Sequence, residues 1–226
     1  MYQKKIILSD DGSHTIELVG MNEQYHSTHG AIQESNHVYI KHGLERIAVN
    51  KREISILEVG MGTGLNVLLS WMLAQKHDLK INYHSIEAFP IGEEIWSQLN
   101  YTQKLHQPNL QEIFNSIHSS PWSKKINLED DFVFIKMEEP IQESILPENM
   151  FDVVYFDAFN PDLEPNLWTE EVFQKVYNSM KKNSILTTYS TKGMVKRALK
   201  SCGFKIEKKP GPIGKREILN ALKIIT

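Results

Sequence analysis

Cysteine is nearly absent from this 226-residue chain, and Cys202 is the only one. A lone cysteine excludes an intramolecular disulfide and fits a reducing cytoplasm. Its place at the end of a helix reads as a buried structural thiol. Long apolar runs are missing as well. No stretch approaches the roughly 20 residues of a membrane span. The opening MYQKKIILSDDG has neither the apolar run nor the small-residue cleavage site of a signal peptide. A cytoplasmic protein with no membrane partner is therefore expected. Internal repeats, low-complexity tracts and linkers are also lacking, which makes residues 1–226 one domain. Excess positive charge is absent too: the formal net charge is −3 and the pI is near 6.3. Four histidines fall early (His26, His29, His37 and His42), but no cysteine joins them and no H-E-x-x-H spacing occurs. No metal site is expected from them.

Against these absences stands one dense segment, Ile56-Leu57-Glu58-Val59-Gly60-Met61-Gly62-Thr63-Gly64-Leu65-Asn66. A short β-rich apolar run ends in an acidic residue, three glycines follow at alternate positions, and then comes an apolar helix. That is a strand, a tight turn and a helix N-terminus, where an open α/β sheet receives a nucleotide-like ligand. A dinucleotide fingerprint needs its third glycine at position 65, which is Leu65, and no G-K-[ST] follows to make a P-loop. The G-x-G-x-G spacing with Glu58 two residues ahead suits S-adenosylmethionine, which has no pyrophosphate to cradle but a charged amino-acid end to seat. Glu58, Gly60, Gly62, Thr63, Gly64 and Asn66 are accordingly expected at the cofactor. Ile81 to Ile86 reads as the next strand and ends in Glu87, placed to accept the ribose hydroxyls of an adenosine.

The rest of the chain alternates strand-like and helix-like segments. Helices are predicted over Leu65 to Gln75, Ile91 to Tyr101, Trp168 to Met180 and Val195 to Ser201. Strands are predicted over Ile54 to Val59, Ile81 to Ile86, Phe132 to Met137, Phe151 to Phe156, Ile185 to Tyr189, Phe204 to Lys208 and Glu217 to Ile225. Residues 102 to 130, with Pro108, Pro121 and Trp122, read as an irregular or part-helical insertion. Alternation of this kind implies a mostly parallel sheet with helices on both faces. The last two strands follow each other without a helix and must be antiparallel. The fold expected is α/β, a Rossmann-like methyltransferase fold with a seven-stranded sheet ending in an antiparallel hairpin over residues 51–226.

Ligands of open α/β sheets sit beyond the carboxyl ends of the strands. Asp157 ends the fourth strand and is expected beside the reactive end of the cofactor, with Phe159 placed to stack on a planar substrate. Residues 1–50 include a hairpin turn at Asp11-Gly12-Ser13-His14-Thr15 and a helix-like AIQESNHVYIKHGL. This segment is expected to cover the cofactor site, with Tyr25 and Glu34 facing it. Between Lys192 and Glu217 stand nine basic residues (Lys192, Lys196, Arg197, Lys200, Lys205, Lys208, Lys209, Lys215, Arg216) against two acidic ones, Glu207 and Glu217. Such a run is either a solvated face or a phosphate-binding surface.

In order, DGSHT, YHSTHGAIQES, EVGMGTGLN, Glu87, YFDAFNPDLEPNLW, TYSTKGMVKRALKSCGF and PGPIGKREIL make the chain resemble the methyltransferase domain of the MnmC family, which also occurs alone as MnmD-like proteins. The similarity runs from about Asp10 to Leu222. It implies methyl transfer from S-adenosylmethionine to the aminomethyl nitrogen on carbon 5 of a tRNA wobble uridine, often 2-thiolated. The anticodon region of tRNA is then the partner, with Lys192, Arg197, Lys215 and Arg216 as phosphate contacts. Fused relatives carry an FAD-dependent oxidase that makes the free amine. This chain holds no such domain, so a separate enzyme making aminomethyluridine is expected. Asp157 is the residue expected to bind the amine and help remove its proton, with Glu34 as second candidate. Many relatives have Gly-Asp after the third strand, where this chain has Lys136-Met137-Glu138-Glu139, which leaves the adenine contact unassigned. Methylation of a small-molecule or protein amine, or an inactive nucleotide-binding protein of the same fold, remain the alternatives.

Overall fold

Six consecutive residues, Phe151-Asp152-Val153-Val154-Tyr155-Phe156, are all buried. A strand without an exposed side is covered on both faces, which places it at the centre of a parallel sheet. The computed structural model describes residues 3–224 except Asn22 and Pro108. In chain order it contains β1 (Lys4–Leu8), β2 (His14–Leu18), β3 (Glu23–Gln24), α1 (Ala31–Ser35), a π-helical stretch (Asn36–Leu44) and α2 (Glu45–Ala48). Then follow β4 (Glu53–Val59), α3 (Leu65–His77), β5 (Lys80–Glu87), α4 (Glu93–Trp96), α5 (Tyr101–Leu105) and α6 (Leu110–Ser119). The second half has β6 (Ile126–Glu129), β7 (Phe132–Glu138), β8 (Phe151–Phe156), a 3-10 turn (Pro165–Trp168), α7 (Glu170–Ser179), β9 (Met180–Thr188), α8 (Gly193–Ser201), β10 (Lys205–Pro210) and β11 (Glu217–Lys223).

The large sheet has the order β10-β11-β9-β8-β4-β5-β7-β6. Five adjacent strands, β9, β8, β4, β5 and β7, run parallel. β11 is antiparallel to both β9 and β10, so the expected hairpin closes one edge. β8 divides its side chains between two cores. Val153 and Tyr155 pack with the N-terminal helix, α3 and α6, and Val154 and Phe156 pack with α7 and α8.

Several boundaries differ from expectation. The sheet has an eighth strand, β6, inside the insertion at 102–130, where it pairs antiparallel with β7. Four residues with one buried side chain, Leu128, are too short a signal against the prolines around them. The helix expected over Ile91 to Tyr101 is two short helices, α4 and α5. Asn100 sits between them and its amide is committed elsewhere, accepting from His14 N–H at 2.8 Å and donating to the Gly12 carbonyl at 2.9 Å. It thereby pins the β1–β2 turn. α7 starts after Trp168 because Thr169 is extended and caps it, accepting from Val172 N–H at 3.3 Å. The last strand ends at Lys223, and Ile225 lies outside the described residues.

The helix after Gly30 lies directly on the sheet. Gly43 makes this possible, since a Cβ there would sit 3.0 Å from Thr187 Cγ2 and 3.1 Å from Tyr155 Cε1. Thr187 Oγ1 donates to the Val38 carbonyl at 2.8 Å, tying the helix to β9. Gly43→Val should overpack this contact and lower stability by about 1–3 kcal/mol, read from the midpoint of chemical unfolding. Wild-type stability in that variant would mean the helix can lift away from the sheet.

Candidate active site

The carboxyl ends of β4, β5, β7, β8 and β9 open into a cleft of about 670 Å³, within the usual size of a small-molecule site. Its floor is the glycine turn after β4. Gly60 N–H donates to the Ile86 carbonyl and Asp157 N–H to the Val59 carbonyl, both at 2.9 Å. Gly60 has φ +91°, and a Cβ there would lie 2.4 Å from the Asp157 carbonyl oxygen. No other residue fits that turn. Gly62, at φ +50°, faces Tyr25, whose ring would be 3.1 Å from an added Cβ. Its N–H donates to Glu87 Oε2 at 2.9 Å, and Phe89 N–H donates to Glu87 Oε1 at 2.8 Å. A carboxylate has lone pairs beyond these two. Bare backbone at Gly60 and Gly62 with an acceptor at Glu87 fits an adenosyl ligand with an amino-acid end. When bound, S-adenosylmethionine supplies an electrophilic methyl group.

Asp157 is half-buried on the cleft wall. Tyr39 OH donates to its Oδ1 at 2.6 Å and Asn66 Nδ2 to its Oδ2 at 2.9 Å. Burial pushes its carboxyl up to about 7, against the two hydrogen bonds and the Lys215 charge, which favour the ionised form. Glu34, at the start of the N-terminal helix, also lines the cleft. Its Oε2 accepts from Ser27 N–H at 2.6 Å and its Oε1 is paired with Lys215. Tyr25 and Phe159 line the cleft as well and meet edge to face, with centroids 5.0 Å apart.

The expected residues thus fall into three groups. Gly60, Gly62, Thr63, Glu87, Tyr25, Glu34, Asp157, Phe159 and Lys215 border the cleft. Glu58, Gly64 and Asn66 stand behind its wall. Asn66 holds Asp157, and Gly64 makes room for His118, whose Nε2 would be 2.9 Å from a Cβ there. Glu58 bonds Ser85 Oγ at 2.6 Å. Arg197 and Arg216 are exposed outside the cleft, and Lys192 pairs with Asp162. Lys215 therefore differs from the surface position expected of it: its ammonium lies 4.2 Å from the Tyr189 ring centroid and against Glu34.

Other cleft residues escape sequence reasoning. Glu23, Glu139 and Glu164 join Glu34, Glu87 and Asp157, leaving Lys215 as the one Lys or Arg among the lining residues. Burial raises the carboxyls of Glu23 and Glu164 above their ordinary value. Tyr39 also escapes it, lying in the π-helical stretch with its hydroxyl on Asp157. Lys136 turns away from the cleft and donates to the Ile117 and His118 carbonyls at the end of α6. Its neighbour Glu139 borders the cleft instead.

A parallel sheet closed by an antiparallel hairpin, with a glycine turn after its central strand and an acidic residue ending the next, defines the class of S-adenosylmethionine-dependent methyltransferases. A family model described as S-adenosyl-L-methionine-dependent methyltransferase matches residues 100–224, more than half of the chain, and the chain belongs to that family. S-adenosylmethionine is its methyl donor. The chain is 28% identical over 224 residues to the tRNA 5-methylaminomethyl-2-thiouridine biosynthesis bifunctional protein MnmC of Cupriavidus metallidurans, covering 94% of this chain and 33% of that protein. It is 29% identical over 204 residues to the protein of the same name from Leptospira interrogans, covering 86% and 32%. The chain thus spans about a third of the length of these curated relatives. The crystal structure of MNMC2 from Aquifex aeolicus superposes with a TM-score of 0.83 at 21% identity, covering 100% of this chain and 72% of that one.

Gly62→Asp should abolish S-adenosylmethionine binding, because it brings a Cβ and a negative charge against Tyr25 and Glu87. Glu87→Ala should weaken binding by about 1.5–3 kcal/mol, the worth of hydrogen bonds to a charged group. Calorimetric affinities equal to wild type in both variants would place the cofactor elsewhere.

Proposed function

We propose that this chain methylates the aminomethyl nitrogen on carbon 5 of a tRNA wobble uridine, giving the 5-methylaminomethyl form. The observation that carries this reading is Asp157, a half-buried carboxylate opening into an acidic cleft beside the glycine turn. The names of the relatives point to the same product. An alkyl amine has an ordinary pKa of roughly 10.4, so at neutral pH it carries a proton and offers no lone pair. The acidic lining attracts the ammonium, and Asp157 accepts its proton as the nitrogen approaches the methyl group. Glu34 is the weaker candidate, being tied to Lys215 and the Ser27 amide. Gly60, Gly62, Thr63, Glu87 and Tyr25 hold the cofactor, and Phe159 stacks on the uracil ring. Residues 1–50 cover the cleft as part of the same domain. The substrate must already carry its amine, so a separate activity making aminomethyluridine acts first.

Acidic, aromatic walls also favour a small aliphatic amine, the second reading. Nucleoside mass spectrometry of aminomethyl-bearing tRNA after incubation with enzyme and cofactor separates the two, since methylation of free amines with no tRNA product supports the small substrate. Asp157→Ala should slow single-turnover methyl transfer far more than it weakens tRNA binding. In the wild type the rate should fall as pH drops through about 7, where Asp157 gains its proton. The Asp157→Ala defect should shrink as pH approaches the pKa of the amine, and a defect constant with pH would assign Asp157 a structural role only.

Arg197 and Arg216 supply the phosphate contacts in this reading, with Lys192 at the start of the helix that carries Arg197. Arg197→Glu and Arg216→Glu should each weaken tRNA binding and flatten its salt dependence by roughly one phosphate contact. Cofactor affinity should not change. Wild-type behaviour of both across a salt titration would make these arginines merely solvated.

A further inference from the structure

Glu58 stands next to the glycine turn but behind the cleft wall, fully buried at the end of β4. Its Oε2 accepts a hydrogen bond from Ser85 Oγ at 2.6 Å, while its Oε1 has no partner among the described residues. The other polar neighbours of the carboxyl are the Asn66 amide and the Tyr83 hydroxyl, which is also buried and without a partner among the described residues. Asn66 commits its Nδ2 to Asp157 at 2.9 Å, and its Oδ1 is likewise buried and without a partner among the described residues. Unmatched buried acceptors are expensive. One proton on Glu58 would satisfy both, with the carboxyl as donor and Asn66 Oδ1 as acceptor.

We propose that Glu58 is a positioning residue: it stays protonated at neutral pH, donates to Asn66 Oδ1, and so fixes the Asn66 amide with its NH2 aimed at Asp157. The inference rests on Asp157 as the group that handles the proton of the acceptor amine. Two carboxylates on either side of one amide repel each other when both are charged, so the more deeply buried one stays neutral. Burial is the main cause that pushes Glu58 up to about 8, and the Asp157 charge acts in the same direction, against the hydrogen-bonding groups of Ser85, Asn66 and Tyr83, which favour the ionised form. The groups facing Glu58 are Ser85 and Tyr83 on β5, Asn66 on α3, and Tyr155 and Asp157 on and after β8. None is a cation, and burial keeps both tyrosines neutral. Asp157 is thereby left as the negative charge of the cluster.

Carbon-13 NMR titration of the side-chain carboxyls in the cofactor-free protein tests this, with calorimetry of S-adenosylmethionine binding beside it. Glu58 should be neutral at pH 7 and titrate above it. Glu58→Gln presents an NH2 where the acid presents its OH, so cofactor affinity and the Asp157 midpoint should match wild type. Glu58→Ala frees the Asn66 amide; the Asp157 midpoint should rise and methyl transfer should slow by about tenfold, the worth of a hydrogen bond to a charged group. A Glu58 signal already ionised at pH 7 overturns the proposal. So does a Glu58→Gln protein with an unchanged melting temperature and weakened cofactor binding, which would make Glu58 a charged group serving the cofactor. The titration and the calorimetry need no acceptor, so they decide the role of Glu58 even if tRNA proves not to be the substrate.

Discussion

The contact between Gly60 and the backbone of Asp157 is the constraint on which the site depends. β4 and β8 are parallel neighbours with Val59 opposite Phe156. The next residue of each strand, Gly60 and Asp157, must therefore leave the sheet side by side. Their backbones meet so closely that a methyl group would lie 2.4 Å from a carbonyl oxygen. The glycine turn and the segment carrying the carboxylate are consequently packed backbone to backbone, with Asp157 N–H donating to the Val59 carbonyl at 2.9 Å. Positioning two reactants is the main thing such an enzyme contributes to an in-line displacement, and it lowers the barrier by several kcal/mol.

The N-terminal helix completes that arrangement from above. Its π-helical stretch spans Asn36–Leu44 and presses Val38, Tyr39, Ile40, Gly43 and Leu44 inward. Along this stretch the Val38 carbonyl accepts from Thr187 Oγ1 and the Tyr39 hydroxyl donates to Asp157. At its start, Glu34 clasps Lys215 from the β10–β11 loop, and His37 Nε2 lies 2.8 Å from the Pro210 carbonyl. The closing hairpin and the first helix are thus tied across the cleft mouth.

Strand positions were legible because buried parallel strands are continuous apolar runs and their ends fall where charge or glycine interrupts them. Glu87 and Asp157 could be placed on one edge for that reason. The glycine spacing pointed to the turn but not to the separate duties of its members. Gly60 relieves a backbone contact, Gly62 borders the cleft, and Gly64 makes room for His118. Glu58 and Asn66 read as cofactor residues because the sequence brings them to the turn, and only the pleat of β4 and the rotation of α3 decide which way they face. Tyr39 was illegible, since π-winding leaves no mark in a pattern read at 3.6 residues per turn. Lys215 was read with a basic run whose members the hairpin loop sends to different sides.

For the proposed amine substrate, the acidic cleft sets up a conflict that the burial of Asp157 would resolve. Carboxylates that attract an ammonium also stabilise it, which opposes loss of its proton. A free alkyl amine near 10.4 and an ordinary aspartate near 3.9 differ by roughly 6.5 units, a proton transfer uphill by about 9 kcal/mol. Burial brings Asp157 to about 7. The mismatch narrows, and the transfer becomes easier. The Lys215 ammonium against Glu34 cancels one of the charges that would otherwise hold the proton on the amine, and it also favours the ionised form of Asp157. Exposure would have left Asp157 a better anchor for the ammonium and a poorer base. In the proposed reaction its half-buried place, with Tyr39 and Asn66 as its donors, would serve both binding and deprotonation.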